Sequence, residues 1–219
     1  MRPTQLPTKV CCIQDEAEAA LAIEHGALAL GLVSRMPSGW GPIPERRIAE
    51  IARTAPAFIS TVLLTMESDP AQVVRQNRLC CCSALQLVDD FPMDGYAHLR
   101  RELPGVTILK AVHVLGDEAM DQAAELAPLV DGLILDTGSP HAEVRVLGGT
   151  GQTHDWSISA RIAARFPGQV FLAGGLKPDN VAEAVRTVGP YGLDLCTGVR
   201  TETRLDADKL AAFFRASRG

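Results

Sequence analysis

The chain has 219 residues, of which 47% are hydrophobic and 21% charged, with a net charge of −5. These values are typical of one globular α/β domain over residues 1–219, and without a long Lys or Arg run we expect no nucleic-acid partner. Because no apolar run is long enough to span a bilayer and the first ten residues lack the apolar centre of a signal peptide, we expect no membrane partner and a cytoplasmic location.

Short apolar runs alternate with helical patterns from end to end. The patterns predict strands over 9–13, 28–33, 58–64, 83–88, 106–112, 131–136, 170–173 and 193–195. The intervening patterns predict helices over 15–26, 44–55, 69–76, 94–103, 116–126, 156–166, 178–188 and 206–215. Residues 34–44 and 137–154 have the composition of long loops.

Eight strands that are each followed by a helix predict a single-domain TIM (β/α)8 barrel. Strict alternation requires parallel strands with right-handed crossovers, and eight such units close on themselves. The alternative is an open doubly wound sheet, but no GxGxxG motif follows the first strand. In a barrel, the functional residues are expected at the carboxyl ends of the strands.

Glycine-rich segments in the second half of the chain indicate a phosphate site. Backbone N–H groups exposed by glycines attract anions, and three such loops at one end of a barrel would hold a phosphate together. Each loop taken singly has the alternative interpretation of an ordinary turn. The predicted phosphate-binding residues are Gly149, Gly151, Gly174, Gly175, Thr197 and Gly198.

A thiol and a carboxyl at strand exits are candidates for acid–base chemistry. Cys11 lies at the end of the first predicted strand, and Asp136 ends the sixth. An acid and a base on separate rigid strands can have independently adjusted pKa values. The structural alternatives are a small buried core residue for Cys11 and a helix cap or loop anchor for Asp136. The six cysteines have neither disulfide-framework nor zinc-site spacing, and Cys80 to Cys82 are interpreted as core and loop thiols.

Several segments resemble the phosphoribosylanthranilate isomerase family, the single-domain barrel of tryptophan biosynthesis. The resemblance covers nearly the whole chain and is strongest in its second half. The matching segments are KVC at 9–11, LILD at 133–136, GGTGQTHDW at 148–156, AGGLKPDNV at 173–181 and GLDLCTGV at 192–199.

The resemblance implies an Amadori rearrangement of an N-(5-phosphoribosyl) amine to a 1-amino-1-deoxyketose 5-phosphate. In this family the aspartate matching Asp136 is the general acid that opens the furanose ring, and the cysteine matching Cys11 removes the C2 proton. No cofactor and no metal are implied, because the iminium intermediate is the electron sink. The substrate is a small phosphorylated sugar, and the protein is a monomer or a homodimer. The other predicted substrate-binding residues are Arg35, Gln86 and Asp194.

The sequence departs from the family where the aglycone is expected to bind. The family's Ser-Pro-Arg after the second strand is replaced by residues 36–43, which contain no arginine, and the glycine after the catalytic cysteine is Cys12. An unpaired carboxylate entering a pocket loses hydration at a cost of several kcal/mol. We therefore also consider a paralogue with a different phosphoribosyl amine, a phosphate-dependent lyase or synthase, and a non-catalytic phosphometabolite-binding barrel.

Overall fold

The computed structural model describes residues 5–37, 41–137 and 154–218. In these ranges the central sheet consists of β1 Thr8–Val10, β2 Ala29–Val33, β3 Ser60–Thr65, β4 Ala84–Leu87, β5 Thr107–His113, β6 Gly132–Asp136, β7 Gln169–Leu172 and β8 Gly192–Leu195.

A helix follows each of these strands. The helices are α1 Glu16–His25, α2 Glu45–Thr54, α3 Pro70–Cys80, α4 Gly95–Glu102, α5 Glu118–Leu126, α6 Trp156–Arg165, α7 Val181–Val188 and α8 Ala207–Ala216. Among the described helices, none has the length and apolar character needed to cross a membrane.

The eight strands form a closed parallel barrel. Each strand pairs with the next along the chain, and β8 pairs with β1 through the register Lys9↔Asp194. The predicted (β/α)8 fold is therefore confirmed, and the open sheet is excluded because such a sheet keeps two unpaired edges. The extent of a single domain over residues 1–219 stays a prediction.

Two apolar layers explain which side chains reach the centre of the barrel. The larger cluster contains residues of both strands and helices, whereas the smaller one contains no helix residue and fills the barrel interior. Val10 belongs to the first cluster and Cys11 to the second. Because side chains alternate along a strand, Lys9 and Cys11 face inward on either side of Val10.

Helix α3 is longer than predicted. The sequence predicted its end near residue 76, but it continues to Cys80. Cys81 then adopts a left-handed conformation (φ 57°), and its N–H donates to the Asn77 carbonyl. The helix end depends on this cap, and because glycine usually provides such a cap, a cysteine here is not a recognisable stop signal. Cys80 and Cys82 are buried and Cys81 is exposed, which confirms the core and loop interpretation of these thiols.

Helix α7 and strand β3 begin later than predicted. Helix α7 begins at Val181 rather than near residue 178, because the Asn180 side chain accepts a hydrogen bond from the Lys177 N–H and holds the preceding residues in a turn. Strand β3 begins at Ser60 rather than residue 58, and Phe58 is 95% exposed.

A small hairpin after β8 was not predicted. A 3-10 helix at Thr197–Val199 leads into the antiparallel strands β9 Arg200–Thr201 and β10 Arg204–Leu205, which precede α8. Two-residue strands carry no periodic signal, so they are invisible to a pattern search.

Candidate active site

A cavity opens at the carboxyl ends of the barrel strands. The alternation that turns Cys11 inward also turns Gln86, Asp136 and Asp194 inward, since their strand neighbours pack in the outer layer. The polar and glycine residues that line this cavity are Cys11, Cys12, Gln86, Asp136, Gly174, Gly175, Asp194, Cys196 and Thr197. Most of the predicted site residues, which come from distant segments of the sequence, therefore line one cavity.

Cys11 follows directly on β1 and is buried. Its N–H donates to the Leu195 carbonyl (2.8 Å), which continues the β1–β8 ladder and fixes the backbone. The thiol shares a hydrogen bond with the Cys12 thiol (Sγ–Sγ 4.0 Å). This hydrogen bond and burial raise the pKa of Cys11, while the Lys9 ammonium acts in the opposite direction. The thiol is therefore protonated until a positive charge favours the thiolate.

Asp136 ends β6 on the wall of the same cavity. Its Oδ1 accepts a hydrogen bond from the Thr137 N–H (2.7 Å). Burial raises the pKa of this carboxyl, and the hydrogen bond from Thr137 opposes that shift only in part. A carboxyl with a raised pKa keeps a proton to a higher pH, which is the property that a general acid needs.

Lys9 and Asp194 form an ion pair inside the barrel below these groups. The ammonium donates to both carboxylate oxygens at 2.8 Å, and the two side chains are only 2% and 7% exposed. Burial lowers the pKa of Lys9, but the Asp194 carboxylate and the nearby thiols outweigh it, so the net shift is upward. Lys9 is thus charged at neutral pH and contributes a fixed positive charge near Cys11.

Gln86 presents an amide group to the cavity. The side chain is 5% exposed, and its Oε1 has no hydrogen-bond partner among the described residues. A buried acceptor without a partner is costly, so such a group points to a donor supplied by a ligand.

The loop after β7 brings its backbone to the cavity. Gly174 and Gly175 both have positive φ (79° and 63°), which glycine adopts without strain. The Asn180 side chain donates to the Gly175 carbonyl (3.0 Å) and fixes this loop. A Cβ at Gly174 would lie 2.9 Å from the Thr137 nitrogen and 3.2 Å from the Asp136 Oδ1. The glycine is therefore required for the close approach of this loop to the carboxyl.

The loop after β8 meets the loop after β7. Thr197 lines the cavity, whereas Gly198 does not and instead packs against the other loop. A Cβ at Gly198 would overlap the Leu176 carbonyl oxygen. The predicted residues Gly149 and Gly151 lie outside the described residues, so their place in the site stays a prediction.

Arg35, like Gly198, is a predicted site residue that does not line the cavity. Its side chain is exposed, and the following residue, Met36, lines the cavity instead. No Lys or Arg is present among the described lining residues. Lys110 and His113 face a separate space beyond β5, where burial lowers the pKa of Lys110 to about 8.

Two features of the site were missed from the sequence. Lys9 is not among the predicted site residues, yet its spacing of two residues from Cys11 already places both on one face of β1. Arg200 contacts the Cys11 and Cys12 carbonyls from a segment 188 to 189 residues away, and no local pattern signals that contact.

Sequence comparison places the chain in a family. The model of the N-(5′-phosphoribosyl)anthranilate (PRA) isomerase family matches residues 8–216. The chain belongs to the PRA isomerase family. It is 38% identical to the N-(5′-phosphoribosyl)anthranilate isomerase of Haloferax volcanii over 96% of this chain and 92% of the relative. It is also 35% identical to that of Geotalea daltonii over 96% and 95% of the two chains.

Solved structures agree with this membership. The barrel is similar to the crystal structure of the phosphoribosyl anthranilate isomerase from Thermus thermophilus, with a TM-score of 0.82 and 26% identity. The match covers 96% of this chain and 98% of that one. The resemblance noted from the motifs of this PRA isomerase family member is thus confirmed over nearly its whole length.

Proposed function

We propose that the chain catalyses the Amadori rearrangement of N-(5′-phosphoribosyl)anthranilate to the 1-amino-1-deoxyketose 5-phosphate in tryptophan biosynthesis. The observation that carries the proposal is the common cavity of Cys11 and Asp136. Cys11 directly follows β1 and Asp136 ends β6, and the strands between them, β7 and β8, end in the loops of Gly174, Gly175 and Thr197. Family membership supplies the reaction, and this arrangement supplies an acid, a base and an anion site.

Asp136 is the general acid in this proposal. The protonated carboxyl gives its proton to the furanose ring oxygen while the C1–O bond breaks and the nitrogen lone pair forms the C1=N iminium. The raised pKa of Asp136 supports this role, since a carboxyl that is already ionised has no proton to give. The Thr137 N–H can then stabilise the carboxylate that remains.

Cys11 is the general base in the next step. The thiolate removes the C2 proton, and the electrons of that C–H bond form the C1=C2 double bond and neutralise the iminium. The enol then tautomerises to the ketose. The positive charge of the iminium, with that of Lys9, favours ionisation of the Cys11 thiol, and the thiol proton passes to solvent at the open end of the cavity.

The substrate phosphate binds in this proposal at the Gly174–Gly175 and Thr197–Gly198 loops, together with Gly149 and Gly151. The absence of side chains at the glycines allows close approach of backbone N–H groups to phosphate oxygens. In this proposal Gln86 and Asp194 contact the ribose hydroxyls. Both line the cavity, and the Gln86 Oε1 has no hydrogen-bond partner among the described residues.

A different aglycone is the second candidate, favoured by the lack of a Lys or Arg among the described lining residues. The test is turnover of phosphoribosylanthranilate by the purified protein, together with rescue of a tryptophan auxotroph that lacks this isomerase. We expect both to succeed. Phosphate-competitive binding without turnover or rescue would contradict the anthranilate assignment and support the paralogue or the non-catalytic barrel.

We infer a cytoplasmic protein that is a monomer or a homodimer, from its family and its place in biosynthesis. Sedimentation equilibrium of the purified chain distinguishes the two assemblies, with expected masses of 23.4 kDa or twice that value.

A further inference from the structure

One buried guanidinium holds the backbone on both sides of the Cys11–Cys12 peptide bond. Arg200 begins the hairpin after β8, and its side chain is 1% exposed. Its Nη2 donates to the Cys11 carbonyl (3.1 Å) and to the Cys12 carbonyl (2.7 Å). The proposed base therefore sits on a segment whose two consecutive carbonyls bind the same cation.

The segment needs such support because Cys12 is strained. Its φ of 61° lies in the left-handed region, which a residue with a Cβ adopts at a cost and keeps only when its surroundings enforce it. Cys12 follows Cys11 directly, so its conformation determines where the chain leaves β1. A change of this turn would move the Cys11 thiol in the cavity.

The guanidinium itself is rigidly held. Its Nη1 donates to both carboxylate oxygens of Glu18 at 3.1 Å and to the Thr203 carbonyl at 2.8 Å. Glu18 also accepts from the Gln14 and Leu205 N–H groups, and it is 3% exposed. Helix α1, the hairpin and the Cys11–Cys12 turn thus form one buried polar network.

We propose that Arg200 is a positioning residue that aims the Cys11 thiol by holding the left-handed turn at Cys12. The proposal rests on the proposed role of Cys11 as the base. It also links the two ends of the site, because Arg200 directly follows the 3-10 helix that carries Thr197. The phosphate loop and the base are thereby fixed to each other through the same side chain.

The chain offers a matched control on the same hairpin. Arg204 pairs with Asp15 (2.9 Å) and lies 3.6 Å from Glu18, but it is 59% exposed and its hydrogen bond goes to Asp15 rather than to a cysteine carbonyl. Arg204→Met removes a cation from the same hairpin without releasing the turn. A loss of kcat in Arg200→Met that Arg204→Met does not show therefore reports on the turn at Cys12 rather than on the charge of the hairpin.

The experiment compares steady-state kinetics of Arg200→Met, Arg204→Met and the double variant Arg200→Met/Glu18→Gln, which leaves no unpaired buried charge. We expect kcat for phosphoribosylanthranilate to fall about 10- to 100-fold in both Arg200 variants, since small misplacement of a reacting group costs that much. KM should change less than about threefold, and Arg204→Met should keep nearly full kcat. Circular dichroism at the assay temperature gives the folded fraction for each variant.

A rescue measurement separates positioning from folding. Glycine adopts φ 61° without strain, so Cys12→Gly/Arg200→Met should recover kcat at least about fivefold over Arg200→Met. The proposal is overturned if Arg200→Met loses no more kcat than Arg204→Met, if the loss equals the loss of folded protein, or if Cys12→Gly gives no recovery.

Cys11→Ala in the same assay separates this proposal from the proposed function. Undiminished kcat in that variant would overturn the role of Cys11, and with it the role of Arg200. An inactive Cys11→Ala with a fully active Arg200→Met would overturn the positioning role alone.

Discussion

Burial of Asp136 favours its proposed role as an acid but lowers the stability of the folded protein once the carboxyl is ionised. Burial raises its pKa, so the ionised form is disfavoured in the folded protein relative to the unfolded chain. The folded state therefore loses stability as pH rises from the unfolded pKa of 3.8 through the raised value. Above that window the ionised carboxylate costs free energy that a neutral side chain would not.

Replacing this carboxyl should stabilise the protein while removing its activity. We expect Asp136→Asn to raise Tm at pH 7 by a few degrees, because a change of about 1 kcal/mol moves Tm by roughly 2–4 °C at this size. We expect kcat to fall about 10²- to 10⁴-fold with the loss of the general acid. Calorimetry at pH 4 and pH 7 checks the sign. A variant that is less stable than the parent at pH 7, with equal stability at pH 4, would contradict the account.

Gly174 should tolerate no side chain. Its φ is 79°, and a Cβ would press on Thr137 and on the carboxyl of Asp136. We expect Gly174→Ala to destabilise the protein by about 1–3 kcal/mol, from backbone strain. We also expect kcat/KM to fall at least about 100-fold, since the displaced groups include the acid and the phosphate loop. Urea unfolding and kinetics measure the two effects, and Gly105→Ala serves as control because it also has positive φ but has no neighbour within 4 Å.

Gln86 should be a binding residue rather than a structural one. Its Oε1 lacks a partner among the described residues, so Gln86→Leu should leave stability unchanged or raise it. The substrate then loses a hydrogen bond, and we expect KM to rise about tenfold. Denaturant unfolding measures the stability of the variant, and Michaelis–Menten kinetics measure its KM. A large loss of stability with unchanged KM would assign Gln86 to the core.

At the residue scale the sequence predicted that Cys11 and Asp136 share one cavity, but it did not predict the side chains that support them. Cys11 and Asp136 could be found because each ends an apolar run, and strand ends meet at one edge of a barrel. The ion pair of Lys9 with Asp194 and the contact of Arg200 with Glu18 could not be assigned, because the partners are 185 and 182 residues apart. The orientation of Arg35 could not be assigned either, since it lies in a loop without periodicity.

The strands β1 and β8 are joined by charge as well as by backbone hydrogen bonds. Lys9 and Asp194 are register partners and also an ion pair inside the barrel. The pKa of Lys9 is raised, so the stabilisation is complete below about pH 10.5 and is lost only as pH rises through the raised value. Burial raises the pKa of Asp194 as well, so the folded state also loses stability as pH rises from 3.8 through the raised value of this carboxyl.

Removing one partner of the Lys9–Asp194 ion pair should lower the free energy of unfolding far more than removing both partners. We expect Lys9→Met to cost about 3–5 kcal/mol, because it leaves the Asp194 carboxylate buried and unpaired. The double variant Lys9→Met/Asp194→Leu should recover most of that loss, since two apolar side chains need no charge partner. Denaturant unfolding of both variants measures the coupling. Additive losses in the double variant would contradict an interaction between the two groups.

Element types were predicted better than element ends. The cap of α1 was evident from Asp15 and Gly26, which the structure confirms as its two caps. The end of α3 depends on a left-handed cysteine, and the start of α7 on the Asn180 side chain, neither of which has a sequence signal of comparable strength. The hairpin that carries Arg200 is too short for any pattern.

The whole molecule is a closed barrel whose candidate active-site cavity opens at the carboxyl ends of the strands. Closure of β8 on β1 brings the first residues of the barrel beside the last, so Cys11, Asp194 and Thr197 line one cavity although they are far apart in sequence. The architecture could be predicted because eight alternating units have few other arrangements. The relation between Arg200 and the Cys11 turn follows from the same closure.

The central claim is that the Cys11 thiol and the Asp136 carboxyl act on one substrate in one cavity. Its most direct test is kcat for phosphoribosylanthranilate in Cys11→Ala, measured beside Cys81→Ser, which alters an exposed thiol at the C-terminal cap of α3. We expect Cys11→Ala to lose at least about 100-fold in kcat with KM nearly unchanged, and Cys81→Ser to match the parent protein. Retention of more than about a tenth of kcat by folded Cys11→Ala would contradict the account.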